Sequence, residues 1–261
     1  MNIGAAVTDL WVGQEGAFMA RIFITGSADG LGRLAAKELV SQGHGVVLHA
    51  RDEERGREAM DGVPGAEGVV AADLGSIEET KRLAAEVNDL GAFDAVIHNA
   101  AVYSAPGEVM LSVNTFAPYI LTCLMRRPER LIYMSSDMHM QGRAKLESFK
   151  NDAGRITYSD SKLHMVMLCK AAAGRWPDVY SNSLNPGWVP TKMGGPGAPD
   201  SFESGIATQV WLATSDDDRV KVSGRYFFHK NETRYNTEAD DLELQERLVK
   251  VCEEITGVAF P

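Results

Sequence analysis

Three glycines within seven residues, directly after a short apolar run, constrain this chain more than any other feature. The stretch reads RIFITGSADGLG, Arg21 to Gly32, and the glycines are Gly26, Gly30 and Gly32. Glycine loses more backbone freedom on folding than any other residue, so a cluster must serve a turn, a positive φ or a close approach. Here Gly26 permits a tight turn after a strand. Gly30 and Gly32 let the loop and the following helix start approach a pyrophosphate, whose charge is favoured at a helix N-terminus. A glycine-rich turn with no ligand has the same local spacing, so the rest of the chain decides between the two.

The rest of the chain alternates. Strand-like segments fall at 21–25, 45–50, 68–73, 93–101, 130–136, 179–187 and 223–228. Between them, 30–42 carries apolar residues at helical spacing, 76–89 opens on Ser76 as an N-cap with Glu78 and Glu79 in its first turn, and a helix runs from Tyr158 to about Gly174. Strands separated by helices form βαβ units around a parallel sheet. Residues 191–204, TKMGGPGAPDSFES, carry two adjacent glycines and two prolines and predict a loop without regular structure. Its place after the sixth strand suits a lid hinged at Gly194 and Gly195, with Met193 and Phe202 as its apolar faces. The alternative is a static connector.

Composition narrows the function classes. The 261 residues suit one large domain or two small ones, and the formal net charge of -10 argues against nucleic acid or an anionic membrane as a main partner. No apolar run approaches the roughly 18 residues of a membrane span. Cys123, Cys169 and Cys252 have no metal-ligand spacing and read as reduced thiols of a cytoplasmic protein. Residues 1–18 lack the pattern of a signal peptide and read as a short extension or a mis-assigned start, leaving 19–261 as a single domain.

Two further places carry chemistry. The second strand ends at His49-Ala50 and is followed by Arg51. In doubly wound folds an acid near this place pairs with the ribose of NAD, whereas an arginine accommodates the 2′-phosphate of NADP. Arg51 therefore favours NADP(H) over NAD(H); the alternative is a surface pairing of Arg51 with Asp52 or Glu54, and Asp52 leaves room for NAD. Downstream, Tyr158 and Lys162 sit four apart on a helix, hence on one face. A phenol with a pKa near 10 is a poor acid or base at neutral pH, and an adjacent lysine together with a cationic nicotinamide would lower it; the alternative is a surface Tyr and Lys at helical spacing.

Taken in order, TGSADGLG (25–32), ADL (72–74), HNAA (98–101), VN (113–114), MSS (134–136), YSDSK (158–162) and NPGWVPT (185–191) resemble the short-chain dehydrogenases/reductases over nearly all of 19–261. The resemblance implies a three-layer α/β Rossmann-type doubly wound sheet of about seven parallel strands. It also implies hydride transfer between a nicotinamide cofactor and a carbonyl or secondary alcohol. By the same resemblance Ser136 would hydrogen-bond the substrate oxygen and Tyr158 would move the proton. Lys162 would hold the nicotinamide ribose and lower the pKa of Tyr158, and Asn114 would anchor a water in a proton relay. Gly26, Ser27, Gly30, Leu31 and Gly32 would form the phosphate loop, and Asp73 with Leu74 would face the adenine. Asn99 and Ala100 would line the cleft, and Pro186, Gly187, Val189 and Thr191 would hold the carboxamide end.

The chain departs from the family pattern in three places. Ser136 and Tyr158 are 22 apart, a wider gap than is common, and the inserted segment resembles the retinol-dehydrogenase-like and carbonyl-reductase-like branches. It would border the substrate pocket, with Met134, Met138 and Met140 as an apolar wall or as ordinary packing. The helix after Asn114 must end near Pro128, and because this helix often builds the family's dimer interface, homodimer and monomer both stay open. HNAA replaces a commoner Asn-Asn-Ala-Gly; His98 reads as a packing residue, and His139 as a partly exposed loop histidine. With Trp188, Met193 and Phe202 near the sixth strand, the expected substrate is a largely apolar small molecule. A nucleotide-sugar epimerase would need tighter glycine spacing and a longer C-terminal part. A non-catalytic cofactor-sensing or scaffold member of the same fold is the alternative of a different class, and the intact Ser136, Tyr158 and Lys162 speak against it.

Overall fold

The computed structural model describes residues 19–261; the expectation for residues 1–18 lies outside them. Eight strands form one sheet in the order β3-β2-β1-β4-β5-β6-β7-β8. They are β1 Arg21–Ile24, β2 Gly45–Ala50, β3 Gly68–Ala71, β4 Ala95–His98, β5 Arg130–Met134, β6 Tyr180–Asn185, β7 Tyr226–Phe228 and β8 Asn231–Glu232. Every pairing from β3 to β7 is parallel, and β8, a two-residue edge strand that the sequence reading missed, pairs antiparallel with β7. The expected sheet of seven parallel strands in a single α/β domain is therefore present, with one short antiparallel addition.

The helices are α1 Gly30–Ser41, α2 Glu53–Gly62, α3 Ile77–Asp89, α4 Gly107–Leu111, α5 Ala117–Leu124, α6 Ser148–Asn151, α7 Tyr158–Arg175, α8 Phe202–Thr214 and α9 Leu242–Thr256. Successive strand residues point to opposite faces, so one strand feeds two cores. Ile22 and Ile24 pack with Val46, Leu48 and Ile97 against α1 and α8. Phe23 packs with Val47, Val96, Leu131 and Tyr133 against α3, α5, α7 and α9. That is the three-layer arrangement in which a parallel sheet is covered on both sides.

Local chemistry sets the element ends. Ser76 caps α3 by accepting from Glu79 N at 3.3 Å, as its position predicted. Between α4 and α5 the backbone widens into a π-helical turn over Ser112–Phe116, and α5 stops at Leu124, ahead of Pro128. The loop expected over 191–204 is shorter than predicted. Ser201 caps α8 by accepting from Ser204 N at 3.1 Å, which draws Phe202–Ser204 into the helix. No helix among the described residues is long and apolar enough to cross a membrane.

The sheet order reverses at β1, which lies between β2 and β4. The chain leaves β1 toward one edge and later returns to build the other. This switch opens a crevice beyond the carboxyl ends of β1 and β4, where ligands of open α/β sheets bind.

Candidate active site

The loop after β1 is held from three sides. Thr25 Oγ1 accepts from Asn99 N and Ala100 N, each at 3.0 Å, tying β1 to the end of β4. Asn99 Nδ2 donates to Thr25 O at 2.9 Å and to Gly26 O at 3.2 Å. Gly26 N donates to His49 Nδ1 at 2.9 Å, which leaves the His49 proton on Nε2, facing Ala72 O at 3.1 Å. Burial pushes the His49 pKa down to about 4, so this neutral form is the one that persists.

The three glycines do different things. Gly26 adopts φ +64, and a Cβ there would lie 2.9 Å from Ala100 Cα. A Cβ at Gly32 would lie 2.5 Å from both Gly26 O and Asn99 Nδ2, so Gly32 seats α1 against the loop rather than facing a ligand. Gly30, at φ +52, is the cradle position: a Cβ there would project toward Thr191, 3.8 Å away, across the crevice. Gly32→Ala is expected to shift the loop, weaken cofactor binding and cost about 1–3 kcal/mol of stability, readable in a melting curve; an unchanged melt and unchanged binding would contradict this packing account.

The crevice is a single cavity of about 1050 Å³. Of the residues singled out from the sequence, Gly26, Gly30, Leu31, Arg51, Asp73, Leu74, Asn99, Ala100, Tyr158, Lys162, Pro186 and Thr191 line it. Ser27, Gly32, Gly187, Val189, Asn114 and Ser136 do not. Ser27 is fully buried and its hydroxyl donates to Ile24 O at 2.9 Å. Val189 packs beneath the wall, close enough to α8 that a Cβ at Gly205 would strike it at 2.6 Å. The residues present fit a dinucleotide: the cradle at Gly30 opens into the cavity, α1 presents its N-terminus, and Arg51 and Arg55 stand on the wall past β2.

Tyr158 is placed by a capping box at the start of α7. Asp160 N donates to Thr157 Oγ1 at 3.3 Å, and Thr157 N returns a bond to Asp160 Oδ2 at 2.8 Å. Lys145 Nζ adds 2.8 Å to the same carboxylate oxygen. The Tyr158 ring meets Tyr103 edge-on at 4.8 Å between centroids, and its hydroxyl lies 4.0 Å from Met193 Sδ. One turn on, Lys162 Nζ lies 5.4 Å from the Tyr158 ring centre and donates to Met134 O at 2.7 Å.

The expectation that Lys162 depresses the pKa of Tyr158 is not met by the chain's own groups. Burial, with Tyr103 and Asp137 nearby, holds the phenol above its ordinary value. Burial also brings Lys162 down from 10.5 to about 7, which weakens it as a standing positive charge. A pH dependence of stability follows. The unfolded chain keeps Lys162 protonated up to about 10.5, while the folded chain releases that proton near 7. Between these values the unfolded state binds more protons, so Lys162 makes stability rise with pH across the window, and below it the folded state carries the full cost of the buried charge. Melting temperatures of the wild type relative to Lys162→Met should therefore climb from pH 7 to 9; a flat difference would contradict the shift.

Ser136 sits at the edge of the site. Its hydroxyl accepts from Met138 N at 3.3 Å and lies 3.2 Å from Asp137 Oδ1, whereas its neighbour Ser135 lines the cavity and donates to Lys162 O at 2.8 Å. Asn114 lies in the π-helical turn with its side chain engaged: Oδ1 accepts from Val102 N at 2.8 Å, and Nδ2 reaches Val102 O at 2.9 Å and Ser161 Oγ at 3.0 Å.

Three sequence expectations are corrected here. His139 is fully buried, not partly exposed. Its Nε2 accepts from Asn236 N at 3.1 Å and its Nδ1 faces Ser136 O at 2.5 Å, so it braces the loop that carries Ser136. The inserted segment 137–157 contributes no residue to the cavity wall; Ala144, Leu146, Phe149 and Ile156 instead enter the core. Accordingly Met134 lines the cavity, whereas Met138 and Met140 do not, and neither do Trp188 and Phe202. His98, by contrast, is a packing residue as expected, buried 4.8 Å from the Tyr133 ring with Nε2 3.2 Å from Thr122 Oγ1.

The loop after β6 closes on itself. Trp188 N donates to Asp200 Oδ2 at 2.6 Å, Asp200 N donates to Trp188 O at 3.0 Å, and the Trp188 indole donates to Gly194 O at 2.7 Å. A Cβ at Gly194 would lie 2.0 Å from Val189 O, so Gly194 is a packed position rather than a free hinge. Four acidic or basic wall residues escaped the sequence reading, Asp29, His49, Arg55 and Lys192, along with apolar ones such as Val102, Val109 and Val113. A histidine at a strand end and charged residues in loops or in a helix's first turn carry no local signal of facing a shared cavity.

A cleft at the sheet's switch point, with a glycine loop on one wall and Tyr158 and Lys162 on the other, lies where doubly wound Rossmann-type folds bind dinucleotides. The short chain dehydrogenase family model matches residues 20–200, and the chain belongs to that family. An uncharacterized oxidoreductase of Emericella nidulans is 45% identical, the match covering 93% of this chain and 99% of that one. The short-chain dehydrogenase chyC of Penicillium rubens is 42% identical over 93% of this chain and 100% of its own. Among solved structures, an uncharacterized protein of Mycobacterium paratuberculosis shares the fold with a TM-score of 0.80 at 22% identity, over 94% of this chain and 96% of that one.

Proposed function

We propose that this oxidoreductase transfers hydride between NADP(H) and the carbonyl or secondary alcohol of a largely apolar small molecule. The observation that carries the reading is one cavity lined at once by the glycine cradle, by Arg51 and Arg55, and by Tyr158 and Lys162. When bound, the nicotinamide supplies the hydride; the chain supplies position and the proton. Gly26, Gly30 and Leu31 would hold the phosphates, Asp73 and Leu74 would face the adenine, and Arg51 and Arg55 would take the 2′-phosphate. Asn99, Ala100, Pro186 and Thr191 would flank the nicotinamide end, with Gly187 and Val189 behind that wall and Ser27 and Gly32 behind the phosphate loop.

Tyr158 then gives its proton to the carbonyl oxygen as negative charge develops there. In the free chain burial holds the phenol above its ordinary value, so the positive charge of the bound nicotinamide beside Lys162 would have to bring it toward the working range. Lys162 anchors the site and passes a proton toward Tyr158, and Ser136 turns from its Met138 cap to donate to the substrate oxygen. Asn114, with its side chain committed to Val102 and Ser161, holds the backbone of the relay in place. Val102, Val109, Val113, Met134 and Met193 give the cavity its apolar share, which suits an uncharged substrate. A second protomer is not needed for any of these roles.

Loss of NADPH absorbance against a panel of apolar aldehydes and ketones, with NADH in parallel, tests the reading. Turnover with NADPH ahead of NADH is expected; no oxidation of either across the panel would overturn it. The segment 188–200, tied by Trp188 and Asp200, serves in this reading as a lid that moves as one piece. Its amide exchange should slow when cofactor and substrate bind. Exchange already slow in the free protein and unchanged by both ligands would leave only a connector.

A further inference from the structure

The start of α1 carries an anion of the chain's own, and cations from three separate elements converge on it. Asp29 caps the helix, its Oδ1 accepting from Gly30 N at 2.8 Å. Arg55 Nη2, from the first turn of α2, lies 3.4 Å from Asp29 Oδ2, and Arg33 Nη2, one turn along α1, lies 3.9 Å from Oδ1. Lys192 Nζ, from the loop after β6, pairs with the same Oδ2. Lys192 foremost, with the Gly30 N–H and Arg33, holds the Asp29 carboxyl below the usual carboxylate range, so it is ionised at neutral pH.

This cluster belongs to the cavity. Asp29, Arg51, Arg55 and Lys192 all line it, and Arg51 and Arg55 flank the end of β2. Of the other anions nearby, Asp73 also lines the cavity but turns Oδ1 to Gly75 N at 2.8 Å rather than to a cation, while Asp52, 3.7 Å from Arg51 Nε, and Glu58, 2.6 Å from Arg55 Nη1, sit outside the wall. Among the described residues, Asp29 is thus the carboxylate of the cavity wall that is ion-paired with the cations a bound phosphate would need.

We propose that Asp29 is a specificity-determining residue for the dinucleotide, its carboxylate standing where it must yield Arg55 and Lys192 to the additional ribose phosphate of NADP(H). The proposal rests on the NADP(H) reading above and deepens it. A phosphate and a carboxylate cannot each take full benefit from the same guanidinium and ammonium, so the discrimination for NADP(H) over NAD(H) is set below what the cations alone would give. NADH lacks that phosphate and does not enter the competition.

Asp29→Asn removes the charge and keeps an effective N-cap of nearly the same shape, so α1 stays capped. Fluorescence titration of NADPH and NADH onto the wild type and the variant reads the effect without turnover. Lys192 and Asp29 are solvent-exposed to 82% and 34% of their side chains, so screening keeps each pair weak. Summed over these pairs, NADPH should bind about three- to tenfold tighter to Asp29→Asn, with NADH changed by less than about twofold. The gain should shrink as salt is raised. Asp29→Ser, also a good cap, should behave alike and guards against a defect peculiar to one variant.

Unchanged or weaker NADPH binding would overturn the proposal. So would a selectivity change that came from weaker NADH binding, because Asp29 would then be a partner of the ribose hydroxyls. The NADP(H) reading fails separately, if the wild type binds NADH more tightly than NADPH. In that case tighter NADPH binding by Asp29→Asn would still uphold the role of Asp29.

Discussion

Tyr158→Phe should lower turnover by about 10²–10⁴ while leaving NADPH binding within a fewfold of wild type, the range that a positioned general acid contributes. The variant keeps the ring, so the edge-on contact with Tyr103 and the packing of α7 survive. What is lost is the hydroxyl, the group that lies next to Met193 and shares the cavity with Lys162. Binding and turnover must be measured on the same preparation, since loss of both would point to a damaged α7 N-terminus instead. Near wild-type turnover with normal binding would remove Tyr158 from the mechanism and leave the cavity as a binding site alone, which is what a cofactor-sensing or scaffold protein would show.

Arg51→Ala should raise the KM for NADPH by roughly ten- to a hundredfold and leave that for NADH little changed, because one hydrogen bond to a charged group contributes about 1.5–3 kcal/mol. The arginine is free to meet a ligand: its side chain is 74% exposed and its one ion pair, to Asp52, is long at 3.7 Å. Arg55 is less free, being held between Asp29 and Glu58, so Arg55→Ala should have the smaller effect of the two. Equal losses for both dinucleotides would place Arg51 at the shared part of the cofactor and sink the 2′-phosphate assignment. A wild type that prefers NADH would do the same.

The parts of this molecule legible in the sequence are those with a local physical signature. Gly26 announced the tight turn after β1, where it takes a positive φ, Ser76 announced the start of α3, and the four-residue spacing of Tyr158 and Lys162 announced one helix face, which the fold turns to the cavity. What stayed hidden depends on partners far along the chain. His139 looked like an exposed loop residue because nothing near it in sequence shows that Asn236, 97 residues on, supplies its hydrogen-bond donor. The inserted segment 137–157 looked like a pocket border, yet its apolar residues found the core beside α7. The cluster around Asp29 joins the glycine loop, α2 and the loop after β6, three stretches that only the sheet's switch point brings together. The raised pKa of Tyr158 in the free chain was hidden for a related reason. The lysine was visible in the sequence, but its commitment to Met134 O and the burial of both groups were not.

The central claim is that Tyr158 supplies the proton for a hydride transfer inside this cavity. The most direct measurement is mass spectrometry of the alcohol formed from an apolar ketone in the presence of NADPH deuterated on its transferable position. The account predicts that the wild type yields alcohol carrying deuterium on the carbinol carbon, and that Tyr158→Phe, still binding NADPH, yields almost none. Alcohol without the label, or labelled alcohol formed equally fast by Tyr158→Phe, would contradict it.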